Sequence, residues 1–351
     1  MHTLVRAFSA VASAAVVLGL AATPAQAASP GYVALGDSYA SGTGTRSYLN
    51  DGTTCQRSVY AYPSLVASRS GYALNFRACS GARIADVVNL QLGAVTTATA
   101  YVTVTVGGND AGFADVLTTC ALPAWASNCN GAIDRAQSIV ATQVPSRLGS
   151  LFSQLRARTP SAKVVVAGYP RIFNGEDCNA FTWFSSAEES RLNTTADQLN
   201  TVLATAAKNA GFAFSNPAPA FAGHAVCDDV AWLNGLSSPT SESYHPNRTG
   251  QASGYTLDVT TKLGGTTSLP TPLAKSASPD ATASTVGRLE EQQRRYAVQD
   301  RAIRPEVFRR PDLSSPQVRR AAARAGVDLA SRASIDAVDR TYAAAQARAH
   351  G

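Results

Sequence analysis

Histidine is scarce in this chain of 351 residues: there are four, His2, His224, His245 and His350. They lie far apart, and the six cysteines contain no C-x-x-C pair, so the spacing of a zinc site is missing. No metal and no cofactor are expected. Charged residues make up 15% of the chain, aromatics 7%, and there is a single methionine. With 45% hydrophobic residues, this is the composition of a globular domain. Past the first 27 residues no run is long and apolar enough to span a bilayer, which excludes a membrane helix there.

The first 27 residues read differently. His2 and Arg6 form a short basic lead, residues 7–22 are apolar and alanine-rich, and Pro24-Ala25-Gln26-Ala27 follows. Small residues at Ala25 and Ala27 fit a secretory cleavage site, with the mature chain starting at Ala28. The expected compartment is therefore extracellular. There an even cysteine count favours disulfides over thiol chemistry. Six cysteines allow fifteen pairings, and spacing guides the choice toward Cys55–Cys79, Cys120–Cys129 and Cys178–Cys227.

Along the chain, apolar runs without polar alternation sit at 32–35, 72–76, 101–106 and 163–167, as expected for parallel strands buried on both faces. Helical patterns separate them: 63 to before Gly71, 84–92, 132–158, 186 to Gly211 with Glu189 closing a capping box, and 255–263. Alternation of this kind predicts right-handed βαβ units and a three-layer α/β domain over 28–263. Residues 264–287, rich in Thr, Ser, Pro and Ala, read as a linker. Residues 288–351 form a helix-prone extension that supplies much of the formal net charge of +6. Its apolar residues are thin for an independent core, which leaves docking on the main domain, a helical appendage or partial disorder. Acidic residues interleave its arginines and aromatics are few, so a solvated face fits better than nucleic-acid binding, and at most weak contact with anionic surfaces is expected.

Four patches carry chemistry, each at the end of a predicted element, where α/β sheets assemble their sites. Gly36-Asp37-Ser38 follows the first strand and offers Ser38 as a nucleophile, although Asp and Ser also suit an ordinary helix cap. Gly81, in Cys79-Ser80-Gly81-Ala82, can bring a bare N–H close to a ligand. Gly107-Gly108-Asn109-Asp110 turns sharply after the third strand. Asn109 is placed to aim its amide at an oxyanion, while Asp110 reads as a helix N-cap. His245 stands before Pro246 and a late helix and is the candidate base; His224, in a loop near Cys227, reads as structural.

In this order and spacing the four blocks resemble the SGNH, or GDSL, hydrolases. The phrases Cys-Gln-Arg-Ser-Val-Tyr-Ala-Tyr-Pro (55–63) and Gly-Gly-Asn-Asp-Ala-Gly-Phe (107–113) are similar to those of the secreted actinobacterial lipases and esterases. The resemblance covers about residues 32–263. It implies a flavodoxin-like α/β/α fold, nucleophile Ser38, base His245, and an oxyanion hole of the Ser38 and Gly81 N–H groups with the Asn109 side chain. Relatives of this kind pair neighbouring cysteines, in agreement with the pairing above. Many members carry an aspartate three residues before the histidine; here that residue is Glu242, and in some secreted relatives a backbone carbonyl, here that of Ser243, takes the role. The implied activity is carboxylic ester hydrolysis by a monomer acting on a small or lipid ester. The alternatives are a phospholipase, a carbohydrate acetyl esterase, or a surface-binding protein working through its basic extension. Aromatics such as Trp125, Phe181, Trp183 and Phe184 are candidates for an acyl site or for core packing.

Overall fold

The valine-rich runs form one sheet, seen in a computed structural model that describes residues 28–265 and 279–350. The expected leader, residues 1–27, and residues 266–278 of the expected linker lie outside the described residues. The chain passes from β1 (Gly31–Gly36) through a short helix α1 (Ser38–Ser41) and α2 (Tyr62–Ser70) to β2 (Ala73–Phe76). Next come α3 (Ile84–Asp86), β3 (Thr99–Thr105), α4 (Phe113–Cys120), α5 (Cys129–Thr142), α6 (Val144–Arg158) and β4 (Lys163–Ala167). The domain closes with α7 (Ser186–Asn209), β5 (Ala213–Ser215) and α8 (Leu257–Lys262). All strand pairs are parallel, in the order β2-β1-β3-β4-β5, the flavodoxin-like order.

Helices flank the sheet, with α2 against α8 in one group and α5, α6 and α7 in the other. Cover on both faces is why Val102, Val104, Val165 and Val166 are fully or nearly fully buried without alternating with polar residues. Three disulfides, Cys55–Cys79, Cys120–Cys129 and Cys178–Cys227, fasten the loops.

Local chemistry moves several boundaries. The helix expected over 132–158 is two helices that break at Gln143, because Pro145 has no N–H to continue the ladder and its ring crowds the preceding turn. The capping box of α7 lies one residue earlier than expected. Ser185 has extended backbone and exchanges hydrogen bonds with Glu188, not Glu189. Asp110 does not cap the helix that follows it, which Gly112 opens; its carboxylate accepts from the Ile84 N–H at 2.9 Å and caps α3 from across the site. The 84–92 segment is mostly a π-type turn (Val87–Gln91) after α3. Strand β5 went unread because three residues are too few to show a period.

Beyond the main domain lie α9 (Pro279–Arg294), which starts inside the stretch read as linker, then α10 (Ala297–Asp300), α11 (Pro316–Ala325) and α12 (Arg332–His350). Of the three outcomes left open, the extension takes docking. Asp300 is fully buried between two fully buried arginines, 2.6 Å from Arg57 and 2.8 Å from Arg77. Asp51 balances Arg57 from the other side at 2.7 Å, and the Tyr296 ring lies under the Arg77 guanidinium. Burial pulls the Arg77 guanidinium below its usual range, and Asp300 opposes that shift. Further on, Val318, Ala321, Ala322 and Ile335 pack on Trp125 and Trp183, and the Trp183 indole donates to Asp336 at 2.9 Å.

Candidate active site

The site begins with the turn out of β1. Asp37 caps α1: its Oδ1 accepts from the Tyr39 N–H at 3.0 Å, which sets Ser38 at the first helical position. The other oxygen, Oδ2, accepts from the Tyr169 hydroxyl at 2.5 Å, and that hydroxyl accepts from the Gly108 N–H at 3.1 Å. One carboxylate thus links three loops at the carboxyl ends of β1, β3 and β4. Burial pushes the Asp37 carboxyl up to about 7, against the pull of its hydrogen bonds.

His245 approaches from the last loop before α8. Its ring lies with Nε2 2.8 Å from Ser38 Oγ and Nδ1 2.9 Å from the Ser243 carbonyl oxygen. A carbonyl only accepts, so Nδ1 carries the proton and Nε2 is left to accept from the serine hydroxyl. The loop is held from both sides. Asn234 donates to the His245 carbonyl, Tyr244 donates to Asn234, and the Tyr39 hydroxyl donates to the Tyr244 carbonyl at 2.7 Å. Tyr244 itself sits at φ 62, a left-handed conformation that a side chain adopts only under constraint from its surroundings. Burial pushes the His245 imidazole down from 6.5 to about 4, a shift that the Ser243 carbonyl opposes.

Glu242 stays clear of the ring. It accepts from the Tyr48 hydroxyl at 2.6 Å and faces Arg46 at 3.5 Å. Although it stands three residues before His245, these contacts turn its carboxyl away, and the carbonyl of Ser243 occupies the place beside Nδ1.

Gly81 and Asn109 line the same cleft as Ser38 and His245. The disulfide Cys55–Cys79 and the bond from the Ser80 N–H to the Cys55 carbonyl fix the Gly81 loop. Gly81 has φ +85, and a Cβ there would lie 2.3 Å from Pro305 Cα, so only glycine fits. Asn109 spends one amide hydrogen on the Ala82 carbonyl at 3.0 Å, which holds its side chain beside the Gly81 turn.

From this mouth the cleft runs inward between α4, α5 and α7, lined by Leu117, Val140, Ile172, Leu192 and Leu199. The aromatic candidates lie elsewhere. Trp125 and Trp183 hold the extension, Phe184 is in the main core against Phe173, and Phe181 is exposed beneath Arg310. His224 stacks on Trp232 and meets the Val230 carbonyl. Sequence reading missed Tyr169, although its place just after β4 was a signal. It also missed Glu306, Val307 and Phe308, which line the cleft from the extension and carry no motif. Among the described residues no three His, Cys, Asp or Glu side chains converge to hold a metal ion.

Known proteins resemble this chain over most of the main domain. The GDSL-like lipase/acylhydrolase family model matches residues 34–252. A lipase of Streptomyces rimosus is 43% identical over 226 residues, spanning 64% of this chain and 83% of its own. Lipase 1 of Streptomyces coelicolor is 42% identical over 254 residues, 70% of this chain and 93% of its own. The crystal structure of a phospholipase A1 from Streptomyces albidoflavus is 43% identical, with a TM-score of 0.63, covering 67% of this chain and all of that one. This chain belongs to the GDSL-like lipase/acylhydrolase family and is a carboxylic ester hydrolase.

Proposed function

We propose that Ser38 is the nucleophile and His245 its base, acting on an ester with a hydrocarbon acyl chain. The 2.8 Å contact between Ser38 Oγ and His245 Nε2 at the mouth of an apolar cleft carries this reading. Ser38 attacks the ester carbonyl carbon as its proton passes to Nε2. The negative oxygen is met by the N–H groups of Ser38 and Gly81 and by the second Asn109 amide hydrogen. The imidazolium, its Nδ1 proton held by the Ser243 carbonyl, then protonates the leaving alcohol and frees it. Water repeats the sequence on the acyl-enzyme, releasing the fatty acid and restoring the serine.

A second reading, a phospholipid ester as substrate, is favoured by the similarity to the Streptomyces albidoflavus phospholipase A1. A carbohydrate acetyl esterase is disfavoured, because a cleft lined by Leu117, Val140, Ile172, Leu192 and Leu199 suits a hydrocarbon chain better than an acetylated sugar. We place the protein outside the cell. Three disulfides with no free cysteine among the described residues fit an oxidising compartment, and a Streptomyces rimosus relative is described as an extracellular lipase. The test is a series of p-nitrophenyl esters from acetate to palmitate, run beside phosphatidylcholine vesicles, with Ser38→Ala as control. Turnover should rise beyond acetate and vanish in the control. Best turnover on acetate would overturn the hydrocarbon reading, and retained activity in Ser38→Ala would overturn the site.

A further inference from the structure

The family match ends at residue 252, and the solved relatives cover 67% of this chain, yet a segment some fifty residues further on enters the cleft. We infer that Val307 and Phe308 are specificity-determining residues: residues 303–308 form a strap that makes one wall of the channel taking the acyl chain. The inference rests on the reading of Ser38 and His245 given above.

Three observations place the strap. First, Pro305 lies against Gly81 so closely that a side chain on the glycine would meet its backbone, so the strap borders the turn beside the nucleophile. Second, the Phe308 ring packs edge-on to Tyr244, the residue before His245, with centroids 5.0 Å apart and planes at 80°. Third, the strap is pinned at both ends. Asp300 is locked between Arg57 and Arg77, and Ile303 packs on the Cys55–Cys79 disulfide. On the far side the Arg309 N–H donates to Thr118 Oγ1 of α4 at 3.0 Å, and its guanidinium faces Asp115 at 3.4 Å. Between these pins Glu306 pairs with Arg83 at the rim, which leaves Val307 and Phe308 as the apolar members facing the cleft.

A wall fixed in this way acts on the hydrocarbon and not on the reacting carbonyl. Covering one methylene changes kcat/KM by roughly fourfold, so losing the wall should tell on long chains and spare short ones. A strap that only covered the serine would instead depress long and short esters alike.

The test compares kcat/KM for p-nitrophenyl laurate and butyrate in the full chain. Val307→Ala and Phe308→Ala should lower the laurate-to-butyrate ratio by roughly fivefold, about one methylene contact or slightly more. Val307→Trp, which fills the channel, should lower it further. Val298→Ala, on the same extension but 83% exposed, should leave the ratio unchanged. Circular dichroism melts verify folding, and should Phe308→Ala fail to fold, the two Val307 variants decide because Val307 is only half-buried. An unchanged ratio in folded Val307 variants, or a parallel rise on both esters, would overturn the wall. Activity surviving Ser38→Ala would overturn the site reading instead, so the two failures are distinguishable.

Discussion

The sheet domain and the C-terminal extension are held together by different means. In the domain, apolar strands covered on both faces by helices carry the fold, and Asp37, buried at the carboxyl end of β1, ties the loops of the candidate site together. The extension has little apolar surface of its own. It borrows Trp125 and Trp183 for one small core and fixes its other end with a single aspartate buried between two arginines. Burying charge is costly, but removing one partner from such a cluster is costlier, because it leaves the others unpaired in a dry interior. A segment with a thin core thus gains a specific attachment from a few polar contacts, whereas the domain relies on area.

Perturbing each region should separate these roles. The largest effect belongs to the domain: His245→Ala should lower kcat by roughly 10⁶ on the scale of other serine hydrolases, with the unfolding midpoint nearly unchanged. Asn109→Ala should lower kcat by about 10² to 10³, the scale of one oxyanion donor, measured by steady-state kinetics on a single ester. In the extension the large effect is on stability. Asp300→Ala should cost about 3–5 kcal/mol in denaturant unfolding, against under about 1 kcal/mol for Glu290→Gln, whose partner Arg294 is half exposed. If the two variants cost the same, the contrast between the regions fails.

Two smaller effects sharpen the site. Because burial pushes His245 down to about 4, the base stays neutral well below 6.5, and the acid limb of kcat/KM that it governs should fall near pH 4. Stability falls in the same direction but over a higher window. Between pH 6.5 and 4 the unfolded chain binds a proton that the native histidine refuses, so His245 lowers stability as the pH drops. A stability profile of His245→Gln beside the wild type checks that sign. Glu242→Gln should change kcat by less than about tenfold, far short of the roughly 10⁴ lost when an orienting carboxylate is removed from a triad.

Much of this was legible in the sequence, because each part of the site is marked by local chemistry, the serine and asparagine just past strand ends and the histidine before a proline and a late helix. Gly36-Asp37-Ser38, the glycine turn at 107–108 and His245-Pro246 all carry such marks, and apolar runs located four of the five strands. What stayed hidden depended on partners distant in the chain. Nothing near Glu242 shows that it turns toward Tyr48, 194 residues earlier, and nothing near Asp110 shows that it caps α3. The strap was least legible of all. Residues 303–308 have no motif, and what gives them a role is the pair of arginines waiting for Asp300 more than 200 residues upstream.

That ion cluster also bears on the fate of Arg77. A polypeptide emerges from the ribosome in order, so Arg57 and Arg77 precede their shared counter-charge by most of the chain. Among the described residues Arg77 faces no carboxylate but Asp300. A chain cut at residue 252, where the family match stops, would lose Gln293, Tyr296 and Asp300, which together cover and neutralise Arg77, and would turn that guanidinium toward water. By this measure the arrival of Asp300, late in the chain, decides whether Arg77 is an interior or a surface charge.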